Sequence, residues 1–226
     1  MKHIRLSPST LSLYKECKRC FWLQMNEKVP RPRGIFPSLP GGMDRVLKKY
    51  FDLYRGAMPP ELEGMVEGVL FEDVGILNKW RNWRIGMSYV DKKHNSTLSG
   101  ALDDCLSVGD FYAPLDYKTR GSAPKEGASE QYYQHQLDAY ALLLQNSGYP
   151  VKNFGYLVYY YPKEVHEGGL VQFSVEPVRL ETSVERARKL FEDAVQFLRN
   201  KEHEARKEGT GCEYCAWHAG INALGA

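Results

Sequence analysis

Residues 100–119 read GALDDCLSVGDFYAPLDYKT and decide the fold of this chain. The pair Gly109-Asp110 is of the kind found in two-residue hairpin turns, so the flanking residues are predicted to form two antiparallel strands. In that register Asp103 lies opposite Asp116. Alternation along a strand also places Asp116 and Lys118 on one face. The sequence therefore predicts that two carboxylates and one ammonium group converge.

This trio of side chains suits the hydrolysis of phosphodiester bonds. Carboxylate oxygens are ligands that Mg²⁺ and Mn²⁺ prefer, and a lysine can orient the attacking water or stabilise developing charge. We therefore predict that Asp103 and Asp116 bind a divalent metal ion and that Lys118 is catalytic. The alternative is an ordinary surface hairpin in which an aspartate and a lysine form a weak ion pair.

A helix is predicted from Ser129 to Asn146, because apolar residues recur there at steps of three and four. Gln136 and Tyr140 are four residues apart and share a face of this helix. The glutamine could donate a hydrogen bond to a phosphate or a water, and the tyrosine could stack or form a hydrogen bond. We predict catalytic roles for both, although both could instead lie at the border of the helix.

Four of the five cysteines occur in two C-x-x-C pairs, here called the cysteine cluster: Cys17, Cys20, Cys212 and Cys215. Four thiolates in two such pairs suit either a tetrahedral zinc ion or an iron–sulfur cluster. Disulfides are not expected, since the N-terminus lacks a signal peptide and the chemistry fits a reducing compartment. The fifth cysteine, Cys105, is expected to be a packing residue of the hairpin.

The motifs and their order resemble the PD-(D/E)XK nuclease superfamily, specifically its RecB-like branch, which includes the CRISPR-adaptation nuclease with a cysteine-bound iron–sulfur cluster. Asp103 matches the first metal-binding aspartate of that family. The segment Asp116-Tyr117-Lys118 matches its (D/E)-x-K motif, and Gln136–Tyr140 matches its Q-x-x-x-Y helix motif. The segment Leu6–Leu11, which continues to Cys17, resembles the N-terminal helix that ends in a cluster cysteine.

The resemblance implies that the cysteine cluster holds a 4Fe-4S cluster, and zinc is the alternative. The chain departs from the family pattern in two places. Cys20 stands where the family more often has a basic residue, and the expected last cysteine is missing near Asn222. His218 follows Cys215 closely enough to substitute as a ligand.

A third ligand to the divalent ion is also implied by the resemblance. The RecB-like pattern places a histidine after a glycine on the helix before the first strand, and Asp44 occupies about that position here. An aspartate could replace the histidine as a ligand of Mg²⁺ or Mn²⁺. Asp44 could also be a first-turn residue that the helix dipole favours.

The predicted fold is α/β, with a restriction-endonuclease-like core in which helices flank a central mixed sheet. We expect one domain over residues 1–226, with the core at about 83–178 and a helical metal-binding subregion formed by 1–24 and 181–220. The predicted strands lie near 83–90, 100–108, 111–119, 154–161 and 170–178. The predicted helical regions are 8–24, 42–54, short pieces within 60–80, and 181–204, and residues 30–40 form an irregular linker.

The expected function is that of a Mg²⁺- or Mn²⁺-dependent DNA nuclease. By resemblance, the substrate is single-stranded DNA or DNA with free ends, the action is exonucleolytic, and protein partners belong to a DNA-processing, repair or CRISPR-adaptation complex. The net charge of +2 is too small to establish DNA binding alone. Without a signal peptide or an apolar span, the chain is expected to be cytoplasmic. The alternatives are a nuclease-fold scaffold that binds DNA or protein without efficient catalysis, and a zinc-ribbon-type adaptor.

Overall fold

The computed structural model describes residues 2–32, 34, 38–200 and 211–224. The strands are β1 (Ile4–Leu6), β2 (Val69–Leu70), β3 (Met87–Asp91), β4 (Ser96–Gly100), β5 (Asp104–Val108), β6 (Phe111–Thr119), β7 (Phe154–Val165) and β8 (Val171–Glu181). The α-helices are α1 (Pro8–Glu16), α2 (Lys18–Trp22), α3 (Ser38–Phe51), α4 (Val74–Arg81), α5 (Ala128–Asn146), α6 (Val184–Asn200) and α7 (Glu213–Leu224). Among the described helices, none has both the length and the apolar character needed to cross a bilayer.

Internal contacts divide the chain into two compact units. Residues 37–89 and 99–187 form the first, here called the sheet unit, which contains the 100–119 hairpin. Residues 1–36, 90–98 and 188–226 form the second, here called the cysteine unit, which contains both C-x-x-C pairs. That one domain spans residues 1–226 stays a prediction.

The sheet unit contains a five-stranded mixed sheet in the order β2-β5-β6-β7-β8. β6 and β7 are parallel, and the other neighbours are antiparallel. In the β5–β6 hairpin Val108 faces Phe111 and Asp104 faces Leu115, so the predicted register is confirmed. Gly109 has a φ of +61°, a conformation that the tight turn requires and that glycine adopts without steric cost.

Helices pack on this sheet through α3 and α5, both of which contact β6. Phe51 of α3 contacts Tyr117 of β6, with ring centroids 4.5 Å apart, and both rings are buried. Because side chains alternate along β6, Asp116 and Lys118 lie on the face opposite Tyr117. The α/β fold with a mixed sheet flanked by helices is therefore the predicted one, and it turns the two polar side chains of β6 toward α5.

Two predicted strands are present but differ from the prediction in bounds or in sheet membership. The strand predicted near 83–90 is β3, which belongs to a separate three-stranded sheet in the order β1-β4-β3. The strand that pairs with β5 is β2, which lies within the 60–80 region predicted to contain short helical pieces. β2 has only two residues, too few to show an alternating pattern. The strand predicted at 100–108 is also divided, because β4 ends at Gly100 and β5 begins at Asp104.

The first predicted helix, 8–24, is interrupted at Cys17. α1 begins at Pro8, and the hydroxyl of Ser7 accepts a hydrogen bond from the backbone N–H of Thr10. Cys17 then adopts an extended conformation with φ −156° and ψ 106°. The chain continues as α2 and a π-helical turn at Leu23–Glu27.

The other helix ends differ from the predicted ones by a few residues. The helix predicted at 42–54 begins at Ser38 and ends in a 3₁₀ turn at Asp52–Tyr54, so it includes the end of the predicted 30–40 linker. Residues 33 and 35–37 of that linker lie outside the described residues. The terminal helix predicted at 181–204 is α6 (Val184–Asn200), and positions 201–204 also lie outside the described residues.

Candidate active site and candidate metal centre

Asp116, Lys118 and Gln136 form one polar network on the α5 side of the sheet. Asp116 is 1% exposed and is ion-paired with Lys118. Lys118 Nζ donates to Gln136 Oε1 over 3.0 Å, and Gln136 Nε2 donates to Asp116 Oδ1 over 3.0 Å. The amide of α5 therefore bridges the carboxylate and the ammonium group of β6. The shared strand face of Asp116 and Lys118 was predicted, whereas the hydrogen bond predicted for Gln136 was to a phosphate or a water.

Tyr140 fixes the orientation of that amide. Gln136 Nε2 donates a second hydrogen bond to Tyr140 Oη over 2.9 Å. The tyrosine is 5% exposed, so it forms a hydrogen bond and presents no surface for stacking. Burial raises its pKa well above the usual range, and the nearby charges of Asp116 and Asp103 raise it further. Tyr140 is therefore a neutral phenol in this network.

Asp103 lies directly before β5 and faces Asp116 across the hairpin. Burial raises the pKa of Asp116 to about 7; the charge of Lys118 lowers this pKa, whereas the charge of Asp103 and a hydrogen bond with it raise it. Two carboxylates in direct contact repel each other when both are ionised. This repulsion is the electrostatic signature of a site that a cation would stabilise.

Lys48 of α3 stands between two carboxylates of the site. Its Nζ lies 2.9 Å from an oxygen of Asp44, four residues earlier on the helix, and 2.9 Å from Asp103 Oδ1. Burial lowers the pKa of Lys48, but the charge of Asp103 and hydrogen bonds with both carboxylates outweigh this and raise it overall. The sequence analysis did not include Lys48 in the site, although the Asp44-x-x-x-Lys48 spacing could have indicated its ion pair with Asp44.

The carboxylates fit a hard divalent cation at Asp103 and Asp116, whose side chains already touch. Asp44 is connected to Asp103 through Lys48. Among the described residues, these three carboxylates do not form a group close enough to hold a metal ion as they stand. That Asp44 is a third ligand stays a prediction, and it requires the Lys48 ammonium to leave.

Asp104 belongs to a different cluster from its neighbour Asp103. Its fully buried carboxylate receives hydrogen bonds from Arg55 over 2.6 Å at each oxygen and from Arg81 over 3.0 Å. Tyr117 donates a further hydrogen bond to it. Asp104 therefore belongs to a buried cluster with Arg55, Arg81 and Tyr117, separate from the Asp116 network.

Tyr133 is a component of the site that the sequence reasoning did not select. The Lys118 ammonium lies 4.5 Å from the centroid of its half-buried ring, within range of a cation–π interaction. The preceding residue, Tyr132, is 58% exposed. Tyr133 lies three residues before Gln136, so helical spacing could have indicated that it reaches the same site.

The cysteine unit brings all four members of the cysteine cluster together. The Sγ atoms of Cys17 and Cys215 are 3.7 Å apart, as are those of Cys20 and Cys212, and Cys20 and Cys215 are separated by 3.9 Å. All four sulfurs lie within 4.8 Å of one another and are buried. The cysteines among the described residues form no disulfide. The cluster could therefore bind a metal, as predicted.

Arg31 supplies the charge next to these sulfurs. Its guanidinium donates to Cys212 Sγ over 3.5 Å and to Glu16 over 2.7 Å, and it lies 4.7 Å from the centroid of the Tyr214 ring. Burial raises the pKa of Cys20 to about 12 against the opposing hydrogen bond from Arg31. Burial also raises the pKa of Cys212, but hydrogen bonds from the Cys215 backbone and the other thiols lower it to about 7.

A cavity of about 310 Å³ adjoins the cluster, and His218 is among its lining residues together with Cys20 and Cys215. The four clustered ligands are all cysteines, so His218 is not among them. Cys105 lies apart in β5, completely buried, and burial raises its pKa well above the usual range. It is therefore an unreactive packing thiol, as the sequence indicated.

A family model described as the PD-(D/E)XK nuclease superfamily matches residues 40–219. A search of curated proteins finds no match. The matched range includes the β5–β6 hairpin, α5 and the sheet that carries them. The matched range is well over half of the 226 residues, and the mixed sheet flanked by helices is the predicted restriction-endonuclease-like core. The chain therefore belongs to the PD-(D/E)XK nuclease superfamily.

Proposed function

We propose that this chain is a Mg²⁺- or Mn²⁺-dependent deoxyribonuclease that acts as an exonuclease on single-stranded DNA ends. The observation that carries the proposal is the bridge that Gln136 makes between Asp116 and Lys118. A surface ion pair would not need a third group to hold both partners, whereas a catalytic site requires fixed geometry. Membership in a nuclease superfamily supports the same reaction class.

Asp103 and Asp116 are the proposed ligands of the divalent ion, and Asp44 is the proposed third ligand. When bound, the ion supplies a Lewis acid that polarises a phosphoryl oxygen of the scissile bond. Asp116 must lose its proton to act as a ligand, so its pKa of about 7 couples metal binding to pH.

Lys118 is the proposed group that orients the attacking water and stabilises the charge developing on phosphate. Burial lowers the pKa of Lys118, but the charge of Asp116 and a hydrogen bond with it outweigh this effect, so its pKa is raised and it remains an ammonium ion. Gln136 holds this ammonium from one side, and Tyr140 fixes the amide of Gln136. Gln136 and Tyr140 thus act in the proposal by positioning the two charged groups.

Two features support single-stranded DNA as the substrate. The half-buried ring of Tyr133 lies beside Lys118, and the exposed ring of Tyr132 lies next to it in sequence. Aromatic rings near a catalytic cation can stack unpaired bases. The second feature is the RecB-like order of motifs, which also underlies the proposed partnership with a DNA-processing, repair or CRISPR-adaptation complex.

The proposal is tested with end-labelled single- and double-stranded DNA incubated with Mg²⁺, with Mn²⁺ and without added divalent ion. Linear single strands should be shortened progressively from a labelled end, only with the ion present. Circular single strands of the same composition serve as the matched substrate without ends. If circular DNA is cleaved as fast as linear DNA, the protein is an endonuclease and not an exonuclease. Cleavage without a divalent ion would contradict the proposed mechanism.

Two variant pairs connect the cleavage to the site. Asp116→Asn should lower the rate at least about a hundredfold, whereas Asp110→Asn makes the same change in the exposed turn of the same hairpin. Lys118→Ala should have a comparable effect, with Lys125→Ala in the exposed loop after β6 as its control. If the two variants of each pair cleave DNA at equal rates, Asp116 and Lys118 are not active-site residues.

A second candidate is a nuclease-fold scaffold that binds DNA or a protein with little catalysis. The ammonium of Lys48 favours it, because this group already neutralises Asp103 and Asp44 without a metal. If the protein binds DNA with the same affinity with or without Mg²⁺ and Mn²⁺, and if neither the wild type nor Lys48→Met cleaves it, the scaffold function is supported.

A further inference from the structure

The spacing of the four buried sulfurs in the cysteine cluster limits what they can hold. Three sulfur–sulfur distances are 3.7, 3.7 and 3.9 Å, and every pair lies within 4.8 Å. One tetrahedral Zn²⁺ with Zn–S bonds of about 2.3 Å separates its sulfurs by about 3.8 Å. The observed spacing is therefore that of four ligands sharing one small ion.

A 4Fe-4S cluster does not fit between sulfurs at this spacing. Each cysteine sulfur then binds a different iron, so the four sulfurs surround eight atoms and not one. Even a regular tetrahedron with all edges at the upper limit of 4.8 Å has corners only about 2.9 Å from its centre, which leaves room for one ion with Zn–S bonds of about 2.3 Å but not for eight atoms. The RecB-like resemblance and the geometry of this chain thus disagree.

The local backbone supports a single-ion centre at the N-terminal pair. The chain leaves α1 at Cys17, and the Sγ of Cys17 accepts a hydrogen bond from the backbone N–H of Cys20 over 3.4 Å. This bond closes the C-x-x-C loop and directs both sulfurs to one point. At the C-terminal pair, Cys212 directly precedes α7 and Cys215 lies in its first turn, so the two-plus-two distribution of cysteines produces a compact set of ligands.

We propose that Cys17, Cys20, Cys212 and Cys215 bind one tetrahedral Zn²⁺ in place of a 4Fe-4S cluster, and that Arg31 is an outer-shell group of this centre. Four thiolates and one Zn²⁺ carry a net charge of −2. The guanidinium of Arg31 opposes that charge by donating to Cys212 Sγ. Glu16 holds the guanidinium on its other side, so its donor to the sulfur is already oriented.

The decisive experiment offers both metals to the full chain. The protein is expressed with zinc, iron and a cluster-assembly system supplied together, and it is purified without oxygen. Asp103→Asn combined with Asp116→Asn removes the carboxylate site from the metal count. We expect one zinc per chain, no inorganic sulfide and a colourless protein, with four sulfurs at about 2.3 Å from zinc by X-ray absorption. Iron with equimolar sulfide, or folded protein containing neither metal, would overturn the proposal.

Variants test the ligands and the outer shell separately. Replacing any one cluster cysteine by serine should remove stoichiometric zinc, whereas Cys105→Ser should retain it. Arg31→Gln should weaken zinc binding about 10- to 100-fold, measured by competition with a chelator. Arg5→Gln, at an exposed position on β1 of the same unit, is its control. If Arg31→Gln binds zinc as tightly as Arg5→Gln, Arg31 is not an outer-shell group of the centre.

If the serine variants fail to fold, X-ray absorption of the Asp103→Asn, Asp116→Asn double variant still tests the metal assignment, because this variant keeps all four cysteines. It also separates this proposal from the proposed function, because it reports on the sulfurs whether or not DNA is cleaved.

Discussion

The raised pKa of Asp116 makes the stability of the chain without divalent ions depend on pH. In the folded state its pKa is about 7, against an ordinary value of 3.8. Between these two values the folded chain holds a proton that the unfolded chain has released. Asp116 therefore contributes stability at low pH, and this contribution is lost as the pH rises through about 7.

Asp116→Asn removes this dependence. From pH 5 to pH 8 the wild-type carboxylate titrates over about two pH units, each worth about 1.4 kcal/mol, so the free energy of unfolding of the variant should rise by about 3 kcal/mol relative to wild type. The attraction between ionised Asp116 and Lys118 is already included in the pKa of Asp116, because the pKa of Lys118 is raised and Lys118 stays charged from pH 5 to pH 8. The quantity to compare is therefore the difference in free energy of unfolding between Asp116→Asn and wild type, which should change between pH 5 and pH 8.

The measurement is urea unfolding followed by the fluorescence of the four tryptophans, without added Mg²⁺ or Mn²⁺. A strong chelator is omitted, since it would also remove metal from the cysteine cluster. Asp110→Asn, which removes one carboxylate from the exposed turn, controls for the change in net charge. A difference between Asp116→Asn and wild type that stays constant from pH 5 to pH 8 would refute the reasoning. Added Mg²⁺ should reduce the pH dependence, because the ion takes the place of the proton.

Three further outcomes follow from contacts in the sheet unit. Lys48→Met should tighten Mn²⁺ binding measured by calorimetry, because the ammonium no longer competes for Asp103; weaker binding would indicate that Lys48 supports the ion instead. Gln136→Ala should lower the turnover number more than the affinity for DNA in single-turnover and binding assays, since Gln136 positions Lys118; the reverse pattern would make it a DNA contact. Arg55→Met should lower the free energy of unfolding by about 3–5 kcal/mol, because it leaves Asp104 buried with one cation fewer; a loss below 1 kcal/mol would show that Arg81 alone suffices.

The hairpin and its polar face could be predicted from the sequence because short-range rules fix them. A two-residue turn at Gly109-Asp110 determines which residues pair, and alternation determines which face each one takes. Gln136 followed from helical spacing in the next element. These inferences needed no knowledge of how distant segments pack.

The features that the sequence reasoning missed depend on contacts between distant segments. β2 has two residues and is a strand only because β5 supplies its partner. Lys48 reaches Asp103 because α3 packs beside the hairpin, and no local pattern encodes that distance. The break at Cys17 likewise occurs where sulfurs from both ends of the sequence converge. Residue types therefore indicated a metal centre, whereas its dimensions required the folded chain.

The two adjacent aspartates also protect the hairpin against folding in the wrong register. A slip of one residue would place Asp104 opposite Asp116 and would leave a carboxylate at the reaction centre. The same slip would put the thiol of Cys105 against the guanidinium groups of Arg55 and Arg81, which Asp104 neutralises in the native pairing. Arg55 and Arg81 would then keep only the carboxylate of Asp52 as a counter-ion, and the loss of one partner from a buried set of charges costs several kcal/mol. The contacts of Asp104 with Arg55 and Arg81 thus destabilise a slipped register that would still place a carboxylate opposite Asp116.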